Sequence, residues 1–260
     1  MNSSLVAFCY RTLDTVKQKF SQEKFERLEY NLERIANGKY HKDHESHLDL
    51  QDPQFCYYAG LTDKPWWDLE LAPKSDIIRY KEKIKKELSN FLESLNNDDG
   101  FEPVEKEEIE TEIPSTIRSK YMLLQDYASI DVQSKYSERQ KFFPYTMEFV
   151  QSIPFLADDV FFSCLEPHTH LGIHSAESNV RLNVHLGICI PSNSAISVAG
   201  EIKIWPDDGL LCFDPSFSHE AWNKSNEYRY ILLFTIWHPD LSPGEIEFMK
   251  IFTRDHIEYM

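Results

Sequence analysis

The segment from Val180 to Ile190 alternates strictly between two kinds of side chain, and this alternation constrains the fold more than any other feature. One set is apolar: Leu182, Val184, Leu186 and Ile188. The intervening set is polar or small: Arg181, Asn183, His185 and Gly187. Because successive side chains of a β-strand point to opposite faces, the segment predicts a strand with one face on a core. The other face is predicted to line a polar cavity.

Short runs rich in β-branched and aromatic residues lie on both sides of this strand. They are Val160–Leu165, Ile202–Trp205, Leu210–Phe213 and Tyr228–Trp237. Two segments, Val198–Glu201 and Pro206–Gly209, have the composition of tight turns between strands. This spacing predicts a sandwich or barrel of antiparallel strands.

The first hundred residues have helical periodicity instead. Apolar residues recur three or four positions apart at Phe25, Leu28, Leu32 and Ile35, and Gly38 follows as a stop signal. A second helix is predicted to begin at a Ser75 cap and to carry Ile77, Ile84, Leu88, Phe91 and Leu95. We therefore predict an N-terminal helical region over residues 1–50 and a β domain with supporting helices over 51–260. The acidic stretch Phe101–Glu112 is predicted to be a solvated connection.

The charge balance and the cysteines limit the partners and the compartment. With 27 Lys and Arg against 43 Asp and Glu, the net charge is −16, which disfavours binding to a nucleic-acid backbone. The apolar run near the N-terminus is too short for a signal peptide, and no run is long enough to span a bilayer. The five cysteines are scattered without a C-x-x-C pair, so we predict reduced thiols and a cytoplasmic protein.

The polar face of the predicted strand points to a ligand. Burying Arg181, Asn183 and His185 beside a packed apolar face costs several kcal/mol unless these groups meet partners. A bound anion would supply one such partner.

Three separated blocks then carry a resemblance to a known family. The first runs from Glu166 to Gly187, the second from Phe213 to Trp222, and the third holds Arg229 and Trp237-His238-Pro239. In this order they resemble the aspartyl/asparaginyl β-hydroxylase family, and the resemblance extends weakly upstream to Pro65-Trp66-Trp67. It implies a mainly β protein, a double-stranded β-helix of the jelly-roll or cupin-like type, with flanking N-terminal helices.

The resemblance also implies a set of site residues. Fe(II) would be bound by His174 and His219, with 2-oxoglutarate as cosubstrate and O2 as oxidant. Arg229 matches the arginine that receives the distal carboxylate of 2-oxoglutarate, and a guanidinium suits that role because its planar fork binds a carboxylate in a bidentate way. Ser163 and His185 also match family positions that contact the cosubstrate. Arg181 matches an arginine that the family carries in the same motif as His185.

Two positions depart from the usual patterns. Ala176 stands where an H-x-D/E pattern would supply a carboxylate ligand to the iron, so the extra position on the metal is left for water or for a halide. Glu177 is the nearby carboxylate, although its spacing from His174 is wrong for the usual turn. Asn183 replaces a second arginine that family members often carry, which bears on the identity of the substrate.

The sequence therefore predicts an Fe(II)/2-oxoglutarate-dependent dioxygenase that hydroxylates a C–H bond, with the β-carbon of Asp or Asn in a peptide or protein as the first candidate target. Three alternatives remain: a hydroxylase of a small molecule or a lipid acyl chain, an iron halogenase, and a non-catalytic jelly-roll binding module. Turnover of 2-oxoglutarate excludes the last, and chloride in the product distinguishes halogenation from hydroxylation.

Overall fold

The computed structural model describes residues 3–42, 50–95, 100–103, 119–125 and 133–256. The helices are α1 Ser3–Lys19, α2 Glu26–Ala36, α3 Lys74–Ser94, α4 Gln133–Gln140, α5 Pro144–Gln151 and α6 Pro243–His256. The strands are β1 Trp66–Trp67, β2 Glu102–Pro103, β3 Ser119–Gln125, β4 Leu156–Leu165, β5 Thr169–His174, β6 Arg181–Cys189, β7 Ser194–Val198, β8 Glu201–Lys203, β9 Leu210–Phe213, β10 His219–Asn223 and β11 Arg229–Trp237.

These strands form two antiparallel sheets. The larger has seven strands in the order β1-β9-β6-β11-β4-β3-β2, and the smaller has four in the order β5-β10-β7-β8. From β4 onward the chain crosses repeatedly from one sheet to the other, since β4, β6, β9 and β11 lie in the larger sheet and β5, β7, β8 and β10 in the smaller. This winding is that of a double-stranded β-helix, so the predicted fold is confirmed.

The alternation in β6 positions the strand as predicted. Leu182, Val184 and Leu186 are fully buried in a cluster that also contains Ile84 and Leu88 of α3. This face of the larger sheet is therefore covered by helices. The opposite face turns toward the smaller sheet and carries Asn183 and His185, which line a cavity between the two sheets.

Gly187 departs from this pattern, because it is buried and lines none of the cavities described below. A Cβ at this position would lie 2.8 Å from Cγ1 of Ile190 and 2.9 Å from Cβ of Trp205. The absence of a side chain thus lets Trp205 pack directly on the strand. Trp205 belongs to the inter-sheet core, together with Ile196 and Ile231.

Both predicted helices are present, with one boundary corrected. Helix α2 ends at Ala36, and Gly38 follows with a φ of 74°, so the predicted stop is confirmed. The Ser75 cap was wrong: α3 begins at Lys74, and the carbonyl of Pro73 accepts the first helical bonds from the backbone N–H groups of Asp76 and Ile77. Pro73 takes the cap position because its extended backbone leads the chain into the helix.

The predicted strand Ile202–Trp205 was also placed too late. The strand is Glu201–Lys203, and Trp205 leaves the sheet edge to enter the core. The turn before it is a two-residue hairpin loop in which Ala199 and Gly200 both have positive φ, 50° and 79°. Most of the acidic stretch Phe101–Glu112 lies outside the described residues; its beginning forms β2, which pairs with β3.

A second apolar cluster joins helices that are far apart in the chain. Leu13 of α1, Leu28 of α2 and Phe248 of α6 pack around Trp237 at the end of β11. The division at residue 50 stays a prediction. The five cysteine thiols are free. Among the helices that the structure describes, none has the length and apolar character needed to cross a membrane.

Candidate active site

His174 and His219 lie side by side at one end of the smaller sheet. They are register partners in the antiparallel pair β5–β10, and their ring centroids are 4.1 Å apart. A register shift between His219 and Ala221 marks an irregularity in the pairing at this point. The strand pair therefore brings together two imidazoles that are 45 residues apart in the sequence.

The two rings are held by the same kind of hydrogen bond. Nδ1 of His174 lies 2.8 Å from the carbonyl oxygen of Gly172, and Nδ1 of His219 lies 2.8 Å from that of Phe217. Because a carbonyl can only accept, each Nδ1 must carry a proton, and in the neutral ring Nε2 then keeps its lone pair. This arrangement fixes the tautomer that a metal-binding histidine needs.

The electrostatics of His219 favour the same neutral form. Burial, and secondarily the charge of His174, lowers the pKa of His219 from 6.5 to about 3. The ring is therefore neutral at pH 7, with Nδ1 protonated and Nε2 available as a ligand atom.

The histidine pair is the candidate protein ligand set at this position. Within the described ranges, no three His, Cys, Asp or Glu side chains come together as a metal site. Ala176 lines a cavity together with His174. This position agrees with the comparison to H-x-D/E patterns, in which the third residue lies on the same side of the site as the first histidine. Glu177 lines the same cavity but is exposed.

The first cavity has a volume of about 420 Å³ and lies between the two sheets. It brings together five of the six predicted site residues, His174, His219, Ser163, His185 and Arg229, as well as Asn183. The side chains come from β4, β5, β6, β10 and β11, so both sheets contribute to it.

Arg229 is the most unusual group in this cavity. It is only 2% exposed, and its Nε has no hydrogen-bond partner among the described residues. Its Nη2 lies 3.5 Å from Oγ of Ser163, a long contact, and its guanidinium lies 5.2 Å from the ring centroid of Trp205. Burial lowers the pKa of Arg229 to about 10, so the group remains a cation at neutral pH. A buried cation of this kind suits an anionic ligand.

His185 lies beside Arg229 and is also unsatisfied. Both of its ring nitrogens are buried with no hydrogen-bond partner in the described part of the chain. Burial, followed by the charges of Arg229 and His219, holds the pKa of His185 well below its usual value. The neutral ring stacks on Trp205, with centroids 6.2 Å apart. It can offer a ligand one donor and one acceptor.

A second cavity of about 330 Å³ adjoins the first, and His174 and Asn183 line both. Arg181 lines this second cavity and not the first, so the structure separates it from the residues with which it was predicted. Its Nη1 lies 3.6 Å from Oδ2 of Asp159, which also lines the cavity. The two cavities therefore meet at His174 and Asn183, and opposite charges line the second.

Sequence reasoning missed several lining residues. Lys120 and Tyr121 of β3 reach the first cavity, and Nζ of Lys120 lies 2.8 Å from Oε1 of Glu166. Asp159 and Thr235 were missed in the second. No strand was predicted from the sequence at β3, and Asp159 precedes the predicted run Val160–Leu165. Thr235 lies in the predicted strand Tyr228–Trp237, but the face that meets the cavity could not be identified without the pairing partners.

The other histidines of the first sequence block lie elsewhere. His168 is exposed, and its Nε2 lies 2.9 Å from Oδ1 of Asn226. His170 is half-buried, with Nε2 2.7 Å from Oε2 of Glu220. Neither lines the first or the second cavity.

Comparisons with known proteins agree with this site. A family model described as aspartyl/asparaginyl beta-hydroxylase matches residues 79–239. The human aspartyl/asparaginyl beta-hydroxylase is 39% identical over 85 residues, 32% of this chain and 11% of that protein. The ornithine lipid ester-linked acyl 2-hydroxylase of Rhizobium tropici is 30% identical over 191 residues, 72% of this chain and 65% of that protein.

The solved prolyl-4-hydroxylase of Pseudomonas putida shares 10% identity with a TM-score of 0.37, covering 67% of this chain and 92% of that one, and adds nothing to the assignment. The human match spans about a tenth of that protein's length. The family model, by contrast, covers more than half of this chain and includes every residue that lines the first cavity. The chain belongs to the aspartyl/asparaginyl β-hydroxylase family.

Proposed function

We propose that this protein is an Fe(II)/2-oxoglutarate-dependent dioxygenase that hydroxylates a C–H bond. The observation that carries the proposal is one cavity containing both a pair of histidines with available Nε2 atoms and a buried arginine without a carboxylate partner among the described residues. A metal and a dianionic keto-acid would satisfy both requirements together.

His174 and His219 would hold the iron. Bound there, Fe(II) would supply the chemistry in which one molecule each of 2-oxoglutarate, O2 and R–H becomes succinate, CO2 and R–OH. The protein's own contribution is to fix both imidazoles in the required tautomer, through the carbonyls of Gly172 and Phe217. Ala176 leaves the adjoining position without a protein carboxylate.

Arg229 would receive the distal carboxylate of 2-oxoglutarate, assisted by Ser163 and His185. The buried guanidinium gains a counter-charge, and the neutral imidazole of His185 gains a hydrogen-bond partner that the described residues do not provide. Trp205 contacts both side chains and holds them against the strand. The cavity thus selects a dicarboxylate that can span from the arginine to the histidine pair.

The second cavity would receive the substrate, because it opens at His174 and lies next to Ala176. By family membership, the first candidate target is the β-carbon of Asp or Asn in a peptide or protein. Arg181 would attract a negatively charged substrate group, and Asn183 replaces a second arginine with a smaller neutral amide. As the chain matches only a small part of the human relative, this target belongs to the proposal.

A second target class is supported by one comparison. One relative that aligns over most of this chain is named for acyl hydroxylation of a lipid. Hydroxylation of an acyl chain or another small molecule is therefore the alternative substrate reaction. The five free, scattered thiols fit a reducing compartment, and we propose the cytoplasm.

The test is an anaerobic titration of the protein with Fe(II) and 2-oxoglutarate. We expect a visible charge-transfer band that requires both additions, and iron-dependent succinate formation once O2 is admitted. A His174→Ala variant serves as the control and should give neither signal. Absence of the band and of succinate from the folded wild-type protein would favour the non-catalytic binding module instead.

A further inference from the structure

A third cavity of about 140 Å³ lies outside the double-stranded β-helix, between the helices and the end of β11. Its walls include Cys9 of α1, Leu32 and Ile35 of α2, Phe248 and Phe252 of α6, and Trp237. These side chains are almost all apolar. The polar Asn31 in the wall is satisfied, because its Nδ2 donates to the carbonyls of Arg27 and Ala59 and its Oδ1 accepts from the N–H of Ala59.

This apolar cavity adjoins the second cavity. Glu177, Ser178 and Arg181 line both, so the same three residues form the boundary between them. The guanidinium of Arg181 lies 5.0 Å from the ring centroid of Trp237, over the aromatic wall of the third cavity. A molecule in the second cavity could therefore extend past Arg181 into the apolar space, leaving its polar part beside His174.

The volume defines the size of the group that would fit. An apolar protein cavity of about 150 Å³ stays free of water and accepts benzene. By that comparison, the third cavity has room for about six carbon atoms. Each methylene moved from water into such a space improves affinity by about fourfold.

We propose that the third cavity receives an apolar arm of the substrate, of about six carbon atoms, while the polar, reacting part of the same molecule lies in the second cavity beside His174. This inference rests on the proposed dioxygenase function and narrows its substrate class. The arm is an aliphatic or aromatic group that is joined to a polar head, whether in an acylated amino acid or in a simple fatty carboxylate.

The first test uses benzene as the probe and thermal unfolding as the readout. Cys56 lines the cavity and is half-buried, so Cys56→Phe fills the space and Cys56→Ser preserves it. Benzene should raise the melting temperature of wild type and of Cys56→Ser but not of Cys56→Phe, because a ligand stabilises only a protein that binds it. Equal shifts in all three proteins, or no shift in wild type, overturn the proposal.

Thr253 supplies a second pair of variants in case Cys56→Phe does not fold. Its side chain also lines the cavity, from α6, and its Oγ1 donates to the carbonyl of Met249 at 2.9 Å. Thr253→Phe should abolish the benzene shift, and Thr253→Ser should keep it. A benzene shift that survives in a folded Thr253→Phe protein counts against the cavity.

The second test links the cavity to the reaction. Two series are compared, N-acyl aspartates and straight-chain fatty carboxylates, each with chains of two to ten carbons, by their stimulation of succinate release. At least one series should peak near six carbons in wild type and in Cys56→Ser, and the optimum should move to shorter chains in Cys56→Phe. The series that responds identifies the source of the arm.

The outcomes separate this inference from the function on which it rests. Succinate that forms with the same chain-length profile in Cys56→Phe as in wild type overturns the inference alone. Wild-type protein that binds benzene but never forms iron-dependent succinate overturns the proposed function, and the substrate role of the cavity with it.

Discussion

His174 and His219 are register partners across two neighbouring strands, and each donates its Nδ1 proton to the carbonyl two residues earlier in the chain. The pairing of the strands therefore sets the separation of the two imidazoles, and these local hydrogen bonds set their tautomer. Since β5 is the edge strand of the smaller sheet, the use of both imidazoles as metal ligands would also link this edge to β10.

Replacing either histidine should eliminate metal-dependent turnover. We expect His174→Ala and His219→Ala each to abolish iron-dependent succinate formation, because the described residues offer no third protein ligand to compensate. The control is His170→Ala, which removes a histidine of the same sheet that lines neither cavity and should retain turnover. Near wild-type iron affinity in either of the first two variants would refute the ligand assignment.

Arg229→Ala should leave iron binding intact while weakening 2-oxoglutarate. Removing the cation strands a carboxylate in a buried pocket at a cost of roughly 2–5 kcal/mol, or about thirty-fold to several thousand-fold in affinity. Arg229→Lys should recover only part of the loss, because a point charge does not reproduce the guanidinium fork. Anaerobic titration of 2-oxoglutarate into the Fe(II) protein measures the affinities of wild type, Arg229→Ala and Arg229→Lys. Unchanged binding in Arg229→Ala would show that Arg229 does not bind the cosubstrate.

Gly187→Ala should disturb the proposed 2-oxoglutarate site indirectly, by displacing Trp205. The new methyl would approach Cβ of Trp205 to 2.9 Å, and Trp205 contacts both His185 and Arg229. We expect a stability loss of about 1–3 kcal/mol from overpacking and a weaker 2-oxoglutarate complex. Urea unfolding and cosubstrate titration measure the two effects. Gly209→Ala, in the turn before β9, is the control and should leave cosubstrate affinity unchanged.

The buried carboxylate of Glu245 should make the free energy of unfolding sensitive to the loss of Arg27 and to low pH. Both Nε and Nη2 of Arg27 donate to it, as do the Tyr58 hydroxyl and the N–H of Ser242. Arg27→Ala removes the countercharge and should cost about 3 kcal/mol in urea unfolding, as for a buried ion pair broken on one side. Lys17→Ala breaks the exposed pair with Glu29 and should cost under about 1 kcal/mol. Equal costs would contradict the argument.

The pH dependence of the same group follows from the direction of its pKa shift. Burial alone would raise the pKa of Glu245, but the hydrogen bonds from Arg27, Ser242 and Tyr58 lower it below 4.5 overall. A carboxyl with a depressed folded pKa stabilises the protein above its unfolded pKa, and that contribution is lost as the pH falls through the folded value. The wild-type advantage over Arg27→Ala should therefore be full at pH 6 and shrink below about pH 4.

Ala176→Asp should fold normally and bind Fe(II) more tightly than wild type. Residue 176 lines the second cavity with His174, so a carboxylate there has space and lies on the side of the metal site. Ala176→Asn is the size-matched control and should gain little. Iron titrations compare the affinities. Mass spectrometry of wild-type product made with and without chloride decides between hydroxylation and halogenation.

The fold could be predicted from the sequence where local pattern and burial coincide. In β6 the apolar set packs on the α3 side, and Arg181, Asn183 and His185 of the polar set line the cavities, so the alternation indicated both faces except at Gly187. The smaller sheet was harder to predict. Burial does not alternate regularly in β5, and β7 is buried along its whole length. Burial does alternate in β10, but two of its three buried residues, His219 and Asn223, are polar, so the hydrophobic pattern of the sequence does not show it.

The site could be predicted only as a set of residues. The family blocks named the histidine pair and Arg229, and the structure brings them into one cavity. The assignment of Arg181 to the second cavity, and the position of Asp159 beside it, depend on the register of β6 with β11 and of β11 with β4. That pairing joins residues that are far apart in the chain, which local spacing does not encode.

The third cavity has a consequence for how such a protein can change over time. Half of its lining residues come from α1, α2 and α6, whereas the histidine pair and the buried arginine come from the two sheets. Substitutions that reshape the helical walls can therefore alter which molecules fit without moving the oxidative centre. Selection can act on the two parts separately, so that one unchanged oxidation chemistry serves a range of substrates in diverging descendants.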